Sequence, residues 1–211
     1  LYSCLGKPNT ADPKPTMPLF PALALLVSGG HTELIYLEDI NTYTVIGKTV
    51  DDAAGEALDK FARLLDLGYP GAAAMEIIAR TGNPQKYHFP LPMTQSHDFN
   101  FSFSGLKTAG RQLIEKLGTD FDKQNTADLA ASFQAAVCKA ICYKVKKALA
   151  IYPAKSLWLG GGVVNNLRLR IELRKIAKQN SINFHFPYTR KLMGDNAVMI
   201  GIAAYFNYLK C

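Results

Sequence analysis

Two short apolar runs in this chain each end in a cluster of glycines, and that repetition constrains the fold most. The first run, 22–27, is continuous and apolar, as a strand buried on both faces should be. Ser28-Gly29-Gly30 breaks it, and 31–37 resumes as a second strand, so the two form a hairpin with a glycine turn. A third strand is predicted at 42–46. The second run, 156–159, enters Gly160-Gly161-Gly162, and a basic helix is predicted over 166–179. Another strand at 182–186 and an apolar helix from Gly194-Asp195-Asn196 to Leu209 complete the pattern. Three strands, a helical segment, and then strand–helix twice form an α/β plan. With 211 residues, the chain is long enough to bury one proper core.

Between the two glycine clusters the period changes. Ala54, Ala57, Leu58, Phe61, Leu64 and Leu65 share one face at helical spacing, predicting an amphipathic helix over 51–66. A turn at Gly68-Tyr69-Pro70-Gly71 ends it, and an alanine-rich helix runs to about Arg80. Residues 82–105 lack a period and are expected to form a long ordered loop. Helices follow over 106–116 and from a Thr126 cap to about Ala150. Residues 6–21 hold five prolines and few apolar side chains, so the start of the chain, 1–21, reads as a linker.

Three constellations could carry chemistry. At Ser28-Gly29-Gly30-His31-Thr32, backbone amides can approach an anion without interference from Cβ atoms, with hydroxyls from Ser28 and Thr32 beside them; an ordinary hairpin explains the glycines equally well. Asp52, Glu56 and Asp59 at i, i+4 and i+7 could hold a ribose, a metal or an ammonium group. With Arg63 on the same face, they could instead be a solvated, salt-bridged surface. Gly160-Gly161-Gly162 before a helix suits a nucleotide, with Asn166 placed for a polar contact, although no G-x-G-x-x-G or G-K-[ST] spacing is present and close helix–strand packing explains the glycines equally well. Asp195 is explained on its own as a helix cap. His31, His88, His97 and His185 show no metal-ligand spacing, and Cys138 and Cys142, four apart in a helical pattern, read as buried free thiols.

Lysine and arginine exceed aspartate and glutamate by 24 to 17, and the excess is uneven. Residues 1–100 carry a balance of −4 and residues 101–211 one of +11. A basic half can attract a polyanion such as RNA. Lys144, Lys146, Lys147, Arg168 and Lys175 are candidates, together with the helical stripe Arg170, Arg174 and Lys178; a solvated face is the alternative. No apolar run reaches the ~18 residues of a membrane helix, and no signal peptide is evident.

In order, the motifs LVSGGHTEL (26–34), DDAAGEALDK (51–60), GYPG (68–71), FPLPM (89–93), FSFSGLKT (101–108), GGGVVNN (160–166) and GDNAVMI (194–200) closely resemble one family. It is the universal tRNA threonylcarbamoyladenosine-forming family, long called O-sialoglycoprotein endopeptidase or glycoprotease, in its bacterial or organellar branch. The resemblance spans about 20–205 and implies the actin, sugar kinase and heat-shock ATPase superfold. This chain then corresponds to one ribonuclease-H-like lobe, the second, over 22–211. Family members move a threonylcarbamoyl group from its adenylate to N6 of the adenosine 3′ of the tRNA anticodon.

The resemblance further implies that Leu26, Val27, Ser28, Gly29 and Gly30 line the phosphate or carbamoyl part of the adenylate. Asp59 should contact the ribose together with Glu76, and Asn166 the nucleotide near the glycine turn. Asp195 becomes one ligand of a divalent metal, iron or in some cases zinc, which acts as a Lewis acid. The family's other two metal ligands are histidines of an H-x-x-x-H motif in a first lobe, upstream of Leu1, so the isolated chain is expected to be metal-poor and inactive. The expected ligand is ATP or threonylcarbamoyl-adenylate. Expected partners are tRNA and accessory proteins of the same complex, with homodimerisation open and no membrane; the expected location is the cytoplasm, or an organelle in a eukaryote. The family writes GYPGG, whereas Ala72 follows Gly71 here; a need for positive φ at that position would weaken nucleotide binding. Two other readings compete: an ATP-dependent kinase or ATPase of the same superfold, and a non-catalytic nucleotide-binding scaffold. No nucleophile–base signature or H-E-x-x-H supports a protease.

Overall fold

The computed structural model describes residues 2–6, 19–118 and 122–209. Five strands form one sheet: β1 (Ala22–Val27), β2 (Thr32–Asp39), β3 (Thr42–Lys48), β4 (Ser156–Gly160) and β5 (Asn183–His185). Their spatial order is β3-β2-β1-β4-β5. The first three pair antiparallel, while β4 and β5 run parallel to β1. β1 is central, which is why its sequence is apolar without alternation.

The pleat of β1 divides the core. Leu23, Leu25 and Val27 join Leu157 and Leu159 on one face, under the α1 (Ala54–Leu64), α2 (Ala72–Ala79), α4 (Lys123–Ile151) and α5 (Leu167–Gln179) helices, with α3 (Ser104–Leu117) packed on α1. Phe61 of α1 stacks on Phe133 of α4 at 3.9 Å between ring centroids and meets Phe89 edge-on. Ala22, Ala24 and Trp158 face the other way, against Ile202 and Phe206 of α6 (Ala197–Tyr208) and the 3-10 turn Tyr2–Leu5. Within the expected linker, therefore, Cys4 and Leu5 are packed into the smaller core, and burial pushes the Cys4 thiol up to about 12. Residues 7–18 of that linker lie outside the described residues.

Several predicted boundaries shift for identifiable reasons. The long helix begins at Lys123 because Asp122 accepts from the Asn125 amide; Thr126 sits one turn inside, donating its hydroxyl to the Asp122 carbonyl. Asn196 caps α6 by accepting from the Met199 amide, so Asp195 is not the cap. α1 starts at Ala54 rather than 51, and Asp51 turns away to accept from the hydroxyls of Ser102 and Ser104 and the Phe103 amide at the start of α3. Partial burial raises the Asp51 carboxyl pKa, but these donors outweigh it and hold the group below its ordinary value. A depressed folded pKa gives stability that is present above the ordinary carboxylate range and lost as pH falls through the lowered value. Acid titration of unfolding should therefore show a shallower acid limb in Asp51→Asn than in the unmodified chain.

The loop from 80 to 103 is ordered, as expected, and α4 holds it. Asp128 accepts from the Asn83 amide, Tyr143 donates to the Thr94 carbonyl, and Lys144 donates to Ser96 and Asp98. Lys144 is 2% exposed, so it leaves the list of RNA-contacting cations, and Lys147 is likewise engaged with the Ser96 and Asp98 carbonyls.

Candidate nucleotide cleft

Thr32 opens β2 and is completely buried, with Oγ1 accepting the Ala54 amide at 2.9 Å. The hydroxyl thus satisfies an orphan donor at the start of α1 and does not face a ligand. Gly55 follows, and a Cβ there would lie 2.6 Å from the Ser28 carbonyl oxygen. The first turn of α1 is in this way clamped under the hairpin turn. Thr32→Val keeps the shape and leaves the Ala54 amide unpaired, a loss of about 1–3 kcal/mol in urea unfolding.

The hairpin turn is closed by its own groups. Ser28 Oγ accepts from the amides of Gly30 and His31, and the Ser28 amide donates to the His31 carbonyl. Of this turn, the Gly29 amide is left without a partner among the described residues, and Gly29 lines a cleft of about 640 Å³. The second glycine cluster reaches the same cleft. Gly161 has φ +91°, and a Cβ on it would meet the Val27 carbonyl oxygen at 2.2 Å, so the turn after β4 lies directly on the end of β1. Gly162 then lines the cleft through the 3-10 turn Gly162–Asn165.

The acidic trio separates. Lys60 binds Asp52 at 2.7 Å and Glu56 at 2.8 Å, and hydrogen bonding to these two carboxylates pushes its pKa up to about 12. Asp59 stands apart: its Oδ1 accepts from the Gly71 and Ala72 amides at 2.9 and 2.8 Å, holding the start of α2. Its Oδ2 has no protein partner among the described residues, and the side chain lines the cleft. Ala72 has ordinary negative φ as the first residue of α2, so this position makes no demand for glycine. Glu76, one helical turn on, accepts the Leu167 amide at 3.0 Å and bridges α2 to the start of α5.

Asn166 is buried, and its side chain works within the protein. Oδ1 caps α5 through the Leu169 amide, and Nδ2 donates to Gln134 Oε1. What Asn166 offers the cleft is therefore the placement of the backbone, rather than the free side-chain contact the resemblance suggested. Arg80, Arg170 and Arg190 also line the cleft and were not singled out for it. They come from three separate elements, and no sequence spacing joins them. Of the first cluster, Leu26 is partly buried and Val27 buried in β1, so their side chains serve the sheet.

A chain-long family profile, "tRNA N6-adenosine threonylcarbamoyltransferase" (TsaD), matches residues 7–202. The chain belongs to this family. A tRNA N6-adenosine threonylcarbamoyltransferase of Moorella thermoacetica is 48% identical over 196 residues, covering 93% of this chain and 57% of the relative. One of a Nostoc species is 46% identical over 209 residues, covering 97% and 58% respectively. The chain thus spans a little over half the length of these curated relatives. Among solved structures, HypF of T. kodakarensis superposes with a TM-score of 0.63 at 16% identity, covering 89% of this chain and 34% of that one. An activator of 2-hydroxyisocaproyl-CoA dehydratase from Clostridium difficile gives 0.51 at 13% identity, covering 92% and 64%. At such identities the likeness concerns the fold alone, which is that of the actin, sugar kinase and heat-shock ATPase superfold.

The metal that the resemblance implies would take Asp195 from this chain. Asp195 is exposed on the loop before α6, and no group of three or more His, Cys, Asp or Glu could hold a metal among the described residues. The described residues do not by themselves form a metal site. Cys138 and Cys142 are buried, free and raised in pKa by burial, as expected of inert thiols. No helix among the described residues is long and apolar enough to cross a membrane.

Proposed function

We propose that this chain supplies the nucleotide-binding lobe, over 22–211, of a threonylcarbamoyl transferase acting on tRNA. One observation carries the reading. Gly29 from the first glycine cluster, Gly162 from the second and the carboxylates of Asp59 and Glu76 line a single cleft of nucleotide size. Asp59 Oδ2 would accept from a ribose hydroxyl while its other oxygen stays fixed by the α2 amides, so the acceptor is held in place before the ligand arrives. On this reading the Gly29 amide and Arg190 would meet the phosphate of the adenylate, and Glu76 would make the second ribose contact.

In the transfer, N6 of the tRNA adenosine forms a bond to the carbamoyl carbon. The bond from that carbon to the adenylate phosphate oxygen breaks, AMP leaves with the electron pair, and N6 releases a proton to solvent. The contribution of this lobe is to hold and orient the leaving AMP. Such work belongs where tRNA is found, in the cytoplasm or an organelle.

Photo-crosslinking tests the reading: an azido-adenine nucleotide should label peptides from 59–80 and 160–170, in competition with unlabelled ATP. Labelling confined to peptides outside these segments would contradict it.

A further inference from the structure

The cleft does not end at the nucleotide site. A second hollow of about 430 Å³ shares Glu76, Arg80 and Leu167 with it, and a third of about 590 Å³ shares Pro84, Arg168 and Glu172 with the second. The three meet around the first turns of α5, whose Leu167, Arg168, Arg170, Ile171 and Glu172 line them in turn. Small residues of α4, among them Ser132, Ala135 and Ala136, contribute to the lining of the far end, and the loop segment from Pro84 to Leu91 lines the same hollow.

The charge along this groove is unbalanced. Arg80, Lys139, Lys146, Arg168, Arg170 and Arg190 line it, and among the described residues no carboxylate lies within ion-pair distance of any of them. Its carboxylates, in contrast, have partners. Asp59 and Glu76 accept backbone amides, and Glu172 pairs with Lys175 at 3.1 Å. Aromatic rings stand among the cations at the far end, with Tyr87, the exposed His88 and Tyr143 lining it. Unpaired cations that follow a groove, interleaved with rings on which bases can stack, form the kind of surface that takes single-stranded nucleic acid.

We propose that this groove, from Arg170 and Arg80 past Arg168 to Lys139, Lys146 and His88, is a track for an unpaired RNA strand leading to the nucleotide cleft. The proposal rests on the tRNA-modifying reading above and adds where and in what conformation the RNA lies. It also moves the RNA surface away from the Arg174 and Lys178 side of α5, because neither side chain lines the groove. A paired duplex is too wide and stiff to lay its bases against these rings, so the track should distinguish strand from duplex.

The test is fluorescence anisotropy with the full 211-residue chain and three probes: a single-stranded RNA, a stem-loop carrying the same loop, and a fully paired duplex. The strand and the loop should bind more tightly than the duplex. Lys139→Ala with Lys146→Ala should lower strand affinity about tenfold or more at low salt and reduce the salt slope by about two. Both side chains are exposed, so the fold should be kept, and ATP binding serves as the internal check. His88→Ala should cost about tenfold for the strand and little for the duplex. Unchanged strand affinity in the lysine pair, or equal affinity for strand and duplex, overturns the track. Failure to bind any RNA while ATP binding persists also overturns it, and leaves the nucleotide reading standing. Loss of ATP binding in the unmodified chain would strike that reading instead.

Discussion

Gly161→Ala is expected to remove about 4 kcal/mol of stability, through backbone strain and a clash acting together. At φ +91° and ψ 158° the residue lies in a region that side-chain-bearing residues essentially never occupy. A Cβ would stand 2.2 Å from the Val27 carbonyl oxygen, which is backbone of the central strand and has nowhere to go. Relieving the contact means separating the β4 turn from β1, and Gly162, Asn165 and Asn166 move with it. Urea unfolding followed by circular dichroism reads the loss directly. Gly162→Ala is the matched control, since nothing lies within 4 Å of the added Cβ; it should stay within about 0.5 kcal/mol. Equal behaviour of the two variants would refute the account of this turn.

The second large effect belongs to Asp59, where two substitutions separate binding from folding. Asp59→Ala removes the acceptor for the Gly71 and Ala72 amides and should lower stability by about 1–2 kcal/mol. It also removes the proposed charged acceptor for a ribose hydroxyl, worth about 1.5–3 kcal/mol, or about 10–100-fold in nucleotide affinity. Asp59→Asn keeps one oxygen for the two amides and turns the other position from acceptor into donor. It should unfold close to the unmodified chain and still lose most of the affinity. If both substitutions changed stability while neither changed nucleotide affinity, Asp59 would be a cap for α2 and nothing more.

Much of this was legible in the sequence because it depends on local pattern. The run 22–27, short and ended by Ser28-Gly29-Gly30, reads as a central strand, and the spacing from Ala54 to Leu65 sets the inward face of the amphipathic helix. The resemblance implied Asp59, Glu76 and Asn166, and the structure brings all three to one cleft. Their manner of acting was not legible. A carboxylate at helical spacing looks the same whether it meets a lysine, as Asp52 does, or two amides twelve and thirteen residues away, as Asp59 does. A hydroxyl at Thr32 suits a ligand as well as a helix amide, and its burial against α1 decides between them. Asp122 and Thr126 are both good capping residues, and so are Asp195 and Asn196. In each case the tertiary position of the loop decides between them. Lys144 reads as a surface cation, although a loop 46–48 residues earlier in the chain folds over it. The basic groove crosses α2, α4, α5 and a long loop, so no window of sequence contains it.

The proposal that this chain holds an adenine nucleotide between its two glycine turns has a direct calorimetric test. Titration of the unmodified chain with ATP should give a single site, weakened about 10–100-fold by Asp59→Asn at unchanged stability. An ATP affinity unaltered by Asp59→Asn, or no ATP binding by a folded chain, would contradict it.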